Sequence, residues 1–426
     1  MRTKASTVGF TLSAMLAGLA GCMKTSATYC ANHDDPEHCP TPDAPGGGAC
    51  TIDDNCGAPT PACNTADHTC VECVLDSACT VATKPVCSAI HTCGACHDNV
   101  DCETSMACMP DGSCAPMDDV AYVSSSGTGN ACTKSAPCDK VSEALLTTKP
   151  VIKIEGTVDE TVTITDRTTK VTLLGEPGAR LFRGSGTVLT IAGTSNVVVY
   201  RLTIGGTSAT PTIGISMAPG TVGSLDVQRT TVTNNSQGGI RVEDGRIEIS
   251  RSTVLSNLGG GVIVRSGALG YVIRNNFIID NGKGSNTGQT SAGGVLLESL
   301  TGGKFEYNTV AFNGSNGTWR PGVQCAGTNS AVGNIVVANT DGINGAQDTN
   351  QVGGACEIGN TYAKALATAL GFKSLGATPD LHLTAGSPMT VRDIAGDCSM
   401  FVTVDVDDQQ RPFNVQCDLG ADEYMP

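Results

Sequence analysis

Four polar residues in the middle of the chain are candidates for acid–base chemistry. They are the carboxylates Asp226 and Glu248 and the basic residues Arg241 and Lys304. Carboxylates can bind calcium, and an Arg or Lys side chain in suitable surroundings can act as a base. We expect the four to lie near one another on the outer surface of a repetitive β-structure. No tight carboxylate cluster with an adjacent base stands out, so the sequence assigns no catalytic residue and these four are only candidates.

A second group of residues is suited to ligand binding. The step from a repeated Asn to the next pair of Gly and an apolar residue is four positions after Asn257, but thirteen after Asn281 and nine after Asn313. Long loops on a rigid scaffold commonly bind ligands, and a Trp beside amides and a guanidinium suits a sugar or its carboxylate. The alternative is that Trp319 packs over the corner and Arg320 is solvated. The binding candidates in the two loops are Lys283, Asn286, Gln289, Asn316, Trp319 and Arg320.

Five short segments with one pattern predict the fold. They occupy residues 230–235, 252–257, 276–281, 308–313 and 334–339. Each ends in Asn, and the last three also begin with Asn. The terminal Asn residues are 22, 24, 32 and 26 positions apart, which is coil spacing for a parallel β-solenoid. We predict that their amides stack along the axis in a ladder of Asn235, Asn257, Asn281, Asn313 and Asn339.

The order of elements from about residue 120 to 355 resembles the right-handed parallel β-helix proteins of the pectin-lyase-like group. An amphipathic segment with Val141, Ala144 and Leu145 on one face predicts a helix that caps the first coil. The predicted fold class is all-β, a right-handed single-stranded parallel β-helix over 118–355. The resemblance implies calcium-dependent polysaccharide lyase activity. The hydrolases of this fold are expected to show paired Asp residues and a Gly-His-Gly, and neither occurs in the coils.

The first 21 residues predict an export signal. Arg2 and Lys4 precede an apolar run over residues 8–19 that is too short to span a membrane. The tetrapeptide Leu-Ala-Gly-Cys at 19–22 resembles the lipobox of bacterial lipoproteins. The resemblance implies cleavage before Cys22 and a lipid anchor on that residue. An ordinary signal peptide with an incidental Cys is the alternative.

Residues 22–48 predict a flexible tether between this anchor and the body of the protein. They are rich in Pro and Gly and poor in apolar residues. Cys30 and Cys39 are expected to close one small disulfide loop. Met23 stands where inner-membrane lipoproteins carry Asp, so the resemblance favours the outer membrane or the cell surface.

Residues 49–117 hold twelve Cys in three repeats of four, which begin at Cys50, Cys73 and Cys96. Units of about 23 residues bury too small a core to fold alone, so cross-links must stabilise them. The array resembles Cys-rich repeats in surface lipoproteins of myxobacteria-like organisms. Four Cys per unit allow three pairings, and the sequence does not choose among them.

The spacing of four cysteines in the repeats also allows zinc binding as an alternative to disulfides. The steps from Cys70 to Cys73 and from Cys93 to Cys96 have zinc-ligand spacing. However, both steps cross repeat boundaries, and an exported chain favours disulfides. We therefore predict no metal site here. Disulfides are also expected at Cys132, Cys138, Cys325, Cys356, Cys398 and Cys417.

The last predicted segment, 356–426, resembles the C-terminal "choice-of-anchor Q" segment of exported β-helix proteins. The likeness is carried by residues 380–388, 405–412 and 418–423. It implies a C-terminal cap in which Cys398 pairs with Cys417. The acidic residues near 405 could bind calcium, but a solvated acidic turn is the interpretation we favour.

Charge and composition limit the classes of function. The chain has 26 basic and 41 acidic residues, a net charge of −15, and no Lys/Arg cluster, which argues against nucleic acid as a partner. We predict a lipid-anchored surface protein that binds a polysaccharide or a cell-surface glycan and contacts the membrane only through its anchor. It needs no cofactor, although calcium is an option. The alternatives are a polysaccharide lyase and a structural envelope spacer.

Overall fold

The computed structural model describes residues 49–207, 209–284, 293–299, 302–315, 319–341, 348, 350–364, 366–376, 379–398 and 402–426. Within them, 49–80 and 87–94 form one compact unit, and 81–86 with 95–426 form another. No helix among the described residues is long and apolar enough to cross a membrane. The four short strands of the Cys-rich region are β1 (Ala62–Asn64), β2 (Thr69–Val71), β3 (Val86–Cys87) and β4 (Cys93–Gly94).

All three Cys-rich repeats have the same disulfide pairing, first with third and second with fourth. The bonds are Cys50–Cys63, Cys56–Cys70, Cys73–Cys87, Cys79–Cys93, Cys96–Cys108 and Cys102–Cys114. Because every one of these sulfurs is in a disulfide, zinc binding at the two Cys-x-x-Cys steps is excluded. Asp53 and Asp76 occupy equivalent positions, and each accepts a 2.7 Å hydrogen bond from the backbone N–H of the third Cys. These carboxylates therefore fix the turn within the first two repeats, and Asn99 Oδ1 takes the same place in the third, where it accepts from the backbone N–H of Cys108.

The second unit is a parallel β-solenoid, as predicted. Its first part contains β5 (Val120–Ser124), α1 (Val141–Leu146), β6 (Val151–Glu155), β7 (Thr157–Asp159), β8 (Val162–Thr165), β9 (Val171–Gly175), β10 (Arg180–Phe182), β11 (Gly186–Ala192), β12 (Asn196–Tyr200), β13 (Thr203–Gly205), β14 (Thr212–Met217), β15 (Ser224–Gln228) and β16 (Thr231–Thr233). Then follow β17 (Gly238–Ser250), β18 (Thr253–Leu255), β19 (Val262–Arg274), β20 (Phe277–Ile279), β21 (Val295–Leu297), β22 (Lys304–Glu306), β23 (Thr309–Ala311), β24 (Gly314–Ser315), β25 (Val323–Val332), β26 (Ile335–Val337), β27 (Thr340–Asp341), β28 (Val352–Gly359) and β29 (Tyr362–Lys364). The predicted helix α1 is confirmed, with Val141 and Ala144 buried.

Three parallel sheets form the sides of the solenoid. Sheet 1 contains β5, β6, β9, β12, β15 and β22, together with the second halves of β17, β19 and β25. Sheet 2 is nine-stranded and runs from β7 to β29. Sheet 3 contains β8, β11, β14 and β21 with the first halves of β17, β19 and β25. The inward β-branched and Leu side chains of all three sheets form one continuous core.

The predicted Asn ladder is confirmed. Each amide of the series donates to the next across the coils, from Asn235 to Asn257 over 2.8 Å and from Asn313 to Asn339 over 2.9 Å. Gln351 accepts the last bond over 2.7 Å. A second ladder at the other corner joins Asn276, Asn308 and Asn334. The residue before each rung is in the left-handed region, for example Asp280 with φ 57°. The buried amides satisfy the turn backbone, so the corners keep the same shape from coil to coil.

Two segments cover outer faces of the solenoid. Ala107 and Ala115 of the third Cys-rich repeat pack with Val198 and Tyr200 of sheet 1. The chain after residue 366 packs on sheet 2, where Phe277, Ile279, Ile335 and Val337 are buried beneath it. This cover explains why β20, β23 and β26 are buried on both faces, whereas the earlier β16 alternates. Disulfides Cys132–Cys138, Cys325–Cys356 and Cys398–Cys417 complete the unit.

Candidate functional site

The outward side chains of sheet 1 form one column across the coils. Asp226 on β15 pairs in register with Glu248 on β17, and Val272 and Lys304 continue the column on β19 and β22. Neighbouring strands are about 4.8 Å apart. Asp226 and Glu248 are therefore adjacent, and Lys304 lies two strands beyond Glu248. The solenoid brings the two carboxylates together and places Lys304 in the same column.

Arg241 is not part of this column. It lies on the first half of β17, in sheet 3, where it pairs in register with Ser216 and Ile263. Its Nε forms an ion pair with Glu243. The prediction that Arg241 lies near the other three is wrong, because β17 turns from sheet 3 into sheet 1 between residues 243 and 246.

The surroundings of the two carboxylates differ. Gln228 Nε2 donates a 2.7 Å hydrogen bond to Asp226 Oδ2, while the buried Oδ1 accepts none within the described part of the chain. Burial raises the pKa of Asp226, and the charge of Glu248 raises it further. Arg274 Nη2 lies 3.2 Å from Glu248 Oε1 and compensates its charge. The pair thus combines a carboxyl that favours protonation with a charge-compensated carboxylate, which is an arrangement suited to acid–base chemistry.

Asp226 lies where two neighbouring cavities meet, with volumes of about 470 and 430 Å³. Both cavities include Lys170 as well as Asp226. We call the combined depression the flank groove. It is lined by Lys170, Ser224, Asp226, Arg246, Glu248 and Leu269 on one side, and by Met109, Pro110, Asp111, Thr172, Val198 and Gln228 on the other.

The flank groove holds two cations that the sequence reasoning missed. Lys170 and Arg246 are exposed, and neither forms an ion pair with any described residue. Arg246 could have been found, because it precedes Glu248 by two positions and a strand side chain repeats its direction every second residue. Lys170 had no such signal, since it precedes β9 outside the five repeated segments. The cations give the groove a mixed charge.

Trp319 packs on the solenoid. Its ring lies against Ile263 and Leu296, which are the outward residues of sheet 3 at this corner. This contact corresponds to the packing alternative considered for the two long loops. Trp319 does not line the flank groove.

The other loop candidates are divided between described and undescribed residues. Arg320 Nη1 lies 3.0 Å from Asp348 Oδ2, and Lys283 Nζ lies 2.5 Å from Asp280 Oδ1. Asn286, Gln289 and Asn316 lie outside the described residues. The described loop cations are therefore compensated by carboxylates of the protein itself.

The acidic turn near residue 405 does not gather its carboxylates. Asp405 is buried, and its Oδ1 accepts hydrogen bonds from the backbone of Asp407 and Gln409. Asp408 forms ion pairs with Arg229 and Arg251. Within the described chain these three acidic residues point to different partners and form no common ligand group.

A comparison with protein families supports the β-helical architecture. Residues 187–358 match the family model described as "Right handed beta helix region". A structural comparison matches the crystal structure of pectate lyase Pel9A with a TM-score of 0.37 and 14% identity, covering 72% of this chain and 96% of that chain. No curated protein matches the chain. The chain thus contains a right-handed β-helix region, and any functional argument depends on the groove itself.

Proposed function

We propose that the protein is a cell-surface lipoprotein that is anchored through Cys22 and binds a polysaccharide in the flank groove. Nine disulfides among the described residues are typical of a protein outside the cytoplasm. The anchor is inferred from the tetrapeptide at 19–22 alone. A lipid at Cys22 would hold the solenoid at the membrane surface, where extended glycans are available as ligands.

One observation supports the binding proposal most directly. Asp226 and Glu248 stand side by side in the wall of a cleft of about 470 Å³, and ligand clefts commonly have volumes of about 300–1,000 Å³. The Oδ1 atom of Asp226 has no hydrogen-bond partner in the described chain. The neighbouring Glu248 side chain is 45% exposed and can accept a hydrogen bond from a sugar hydroxyl, and hydrogen bonds to a carboxylate are about twice as strong as neutral ones.

The rest of the groove favours an acidic polysaccharide. Lys170 and Arg246 offer cations for a sugar carboxylate. Leu269, which is 43% exposed, offers an apolar surface to the face of a pyranose ring. A uronate-containing chain has all three features, because it presents hydroxyls, a carboxylate and a partly apolar ring. We therefore expect it to bind more tightly than a neutral glucan.

Binding measurements on the full chain test the proposal. Titration calorimetry against neutral and uronate-containing oligosaccharides, with and without calcium, gives the wild-type affinity. The double variant Asp226→Asn/Glu248→Gln is expected to bind at least about tenfold more weakly, since each lost charge-assisted bond contributes about 1.5–3 kcal/mol.

The matched control is Glu243→Gln, which removes the same kind of charge from sheet 3 outside the groove. It should bind as the wild type does. Equal binding by wild type and double variant would overturn the groove proposal. If the wild type shows neither binding nor turnover, a rigid envelope spacer is the remaining function.

A second candidate function is cleavage of the bound polysaccharide. It is favoured by the adjacent carboxylates in unlike surroundings, with the pKa of Asp226 raised mainly by burial. The products separate the two mechanisms. Calcium-dependent formation of unsaturated uronate ends would indicate a lyase, and new reducing ends without unsaturation would indicate hydrolysis. Binding without either product would leave the protein a binder.

A further inference from the structure

The C-terminal segment brings one imidazole and two carboxylates together beside a separate cavity of about 450 Å³. The residues are His382, Asp407 and Asp422, which come from three different stretches of the segment. One possible ligand atom from each lies within 4.8 Å of the others. The cavity is formed wholly by residues after 372 and is distinct from the flank groove.

Asp422 is the most buried member of this group. It is only 4% exposed, and the backbone N–H of Leu383 donates a 2.6 Å hydrogen bond to its Oδ2. Its Oδ1 accepts no hydrogen bond within the described part of the chain, although Asp422 lines the cavity. A carboxylate oxygen that accepts no hydrogen bond from the protein is able to bind a cation from the cavity.

His382 is oriented towards the same point. Its Nδ1 contacts Asp380 Oδ1, and Lys373 Nζ lies 3.1 Å from the other oxygen of Asp380. Its Nε2 is buried and lies 2.7 Å from Asp407 Oδ2, outside hydrogen-bond geometry. The edge of the Phe277 ring holds the imidazole from the solenoid side. Metal-binding histidines are oriented in this way, with a carboxylate at one ring nitrogen and the metal ion at the other.

We propose that His382 Nε2, Asp407 and Asp422 bind a divalent transition-metal ion of the zinc class. An imidazole nitrogen with two carboxylates suits Zn²⁺, Co²⁺ or Mn²⁺, whereas Ca²⁺ takes oxygen ligands. The fourth position opens to the cavity. This site is different from the acidic turn considered in the sequence, because it takes only Asp407 from that turn.

Metal binding requires one small rearrangement. Two ligands about 2.0–2.1 Å from a tetrahedral ion are roughly 3.4 Å apart, so Asp407 has to move away from Nε2. The side chain of Asp407 is 51% exposed, and it can therefore move without unpacking the core. The ion would join the stretch at 382, the turn at 405–410 and the end of the chain at 422, which would stabilise the cover on sheet 2.

Neighbouring carboxylates and burial raise the pKa values of His382 and Asp422. The neighbouring Asp407 and Asp380 raise the pKa of His382 to about 9, and burial raises the pKa of Asp422 to about 7. Asp405 and Asp407 add to the pKa of Asp422, while His382 opposes the shift.

The experiment uses the full chain after treatment with a chelator. Titration calorimetry with Zn²⁺ gives the stoichiometry and the affinity. We expect one Zn²⁺ per chain and a higher Tm with Zn²⁺ but not with equimolar Ca²⁺. Co²⁺ should give visible absorption bands.

Asp407→Asn and His382→Gln are expected to weaken Zn²⁺ binding at least about tenfold and to abolish the Tm shift. Asp407→Asn changes an exposed side chain, so loss of folding cannot explain its effect. The control His97→Gln alters a histidine in the Cys-rich region and should bind as the wild type does. Equal Zn²⁺ affinity in wild type and Asp407→Asn, or no Tm shift in the wild type, would overturn the proposal.

Discussion

Arg411 donates a hydrogen bond from Nε to Glu423 Oε2 over 2.9 Å, and both side chains are almost completely buried, at 0% and 1% exposure. The same guanidinium donates to the carbonyls of Asp418 and Gly420 and to Asn275 Oδ1. Asn275 belongs to a corner of the solenoid, whereas the other partners belong to the C-terminal segment. Arg411 is therefore one of the residues that join this segment to the coils, and the one that is completely buried among its partners.

Replacing Arg411 should lower the free energy of unfolding far more than replacing a surface arginine. In Arg411→Met the carboxylate of Glu423 keeps its burial but loses its cation, so the free energy of unfolding should fall by about 3–5 kcal/mol. Urea unfolding followed by circular dichroism measures the change. The control Arg183→Met breaks an exposed ion pair with Asp159 and should cost no more than about 1 kcal/mol. Similar decreases of the free energy of unfolding in the two variants would contradict the stabilising role of the buried pair Arg411 and Glu423.

The Asn ladder gives a prediction about the corners. Asn281 Nδ2 donates to Val254 O and to Asn313 Oδ1, each over 2.9 Å, and its Oδ1 accepts from Asn257. Asn281→Ala leaves buried polar groups unpaired, each at about 1–3 kcal/mol, so a total loss of roughly 2–5 kcal/mol is expected. Asn414→Ala, at an exposed position, is the control. Equal urea midpoints for the two variants would show that the ladder contributes little.

The solenoid could be predicted from the sequence because its signal is local and repeated. Each rung of the ladder is an Asn at a fixed place in its own coil, and each rung bonds the same atom of the next coil. One alignment of segments therefore gave both the coil spacing and the partners. Arg241 shows the limit of that reasoning, because no repeated residue type marks the position where β17 turns from one sheet into the next.

The flank groove could not be predicted in the same way. Its second wall, Met109 to Asp111, comes from the third Cys-rich repeat, and the contact that places it involves small apolar residues such as Ala107 and Ala115. Nothing in their spacing indicates a partner on sheet 1. The buried role of Arg411 was hidden for the same reason, because its partners are mainly backbone carbonyls brought together by tertiary packing.

Asp226→Asn tests how burial of this carboxyl group affects the stability of the protein. Burial raises the pKa of Asp226, so its ionised form is disfavoured in the folded protein and stability falls as pH rises through that pKa. The neutral Asn should therefore raise the free energy of unfolding at pH 7 by about 0.5–1 kcal/mol, with little gain at pH 4. Urea unfolding at the two pH values measures the difference. Destabilisation at pH 7 would mean that the ionised carboxylate stabilises the fold through its hydrogen bond from Gln228, which would contradict the expected effect of burial.

Trp319→Ala tests the loop site predicted from the sequence. The ring packs on Ile263 and Leu296, so its removal should lower the free energy of unfolding by about 2 kcal/mol, less than the 3–5 kcal/mol of a fully buried ring. Glycan affinity should not change if the flank groove is the binding site. Loss of glycan binding with an unchanged Tm would instead support the loop site.

The imidazole of His382 predicts how stability depends on pH when a chelator removes metal. Asp407 and Asp380 raise its pKa from 6.5 to about 9, so the ionic contact contributes fully below pH 6.5 and is lost as pH rises towards 9. Partial exposure screens the contact, so a loss of about 1–2 kcal/mol is expected across this window.

Burial raises the pKa of Asp422 to about 7, which adds a fall in stability between about pH 4 and 7 that does not require His382. Urea unfolding of wild type and His382→Gln at pH 6.5 and pH 9 compares the two contributions. The fall above pH 6.5 should be smaller in the variant, and the remaining fall comes from Asp422, whose pKa His382 lowers in the wild type. The same dependence in both proteins would show that the imidazole is not paired as described.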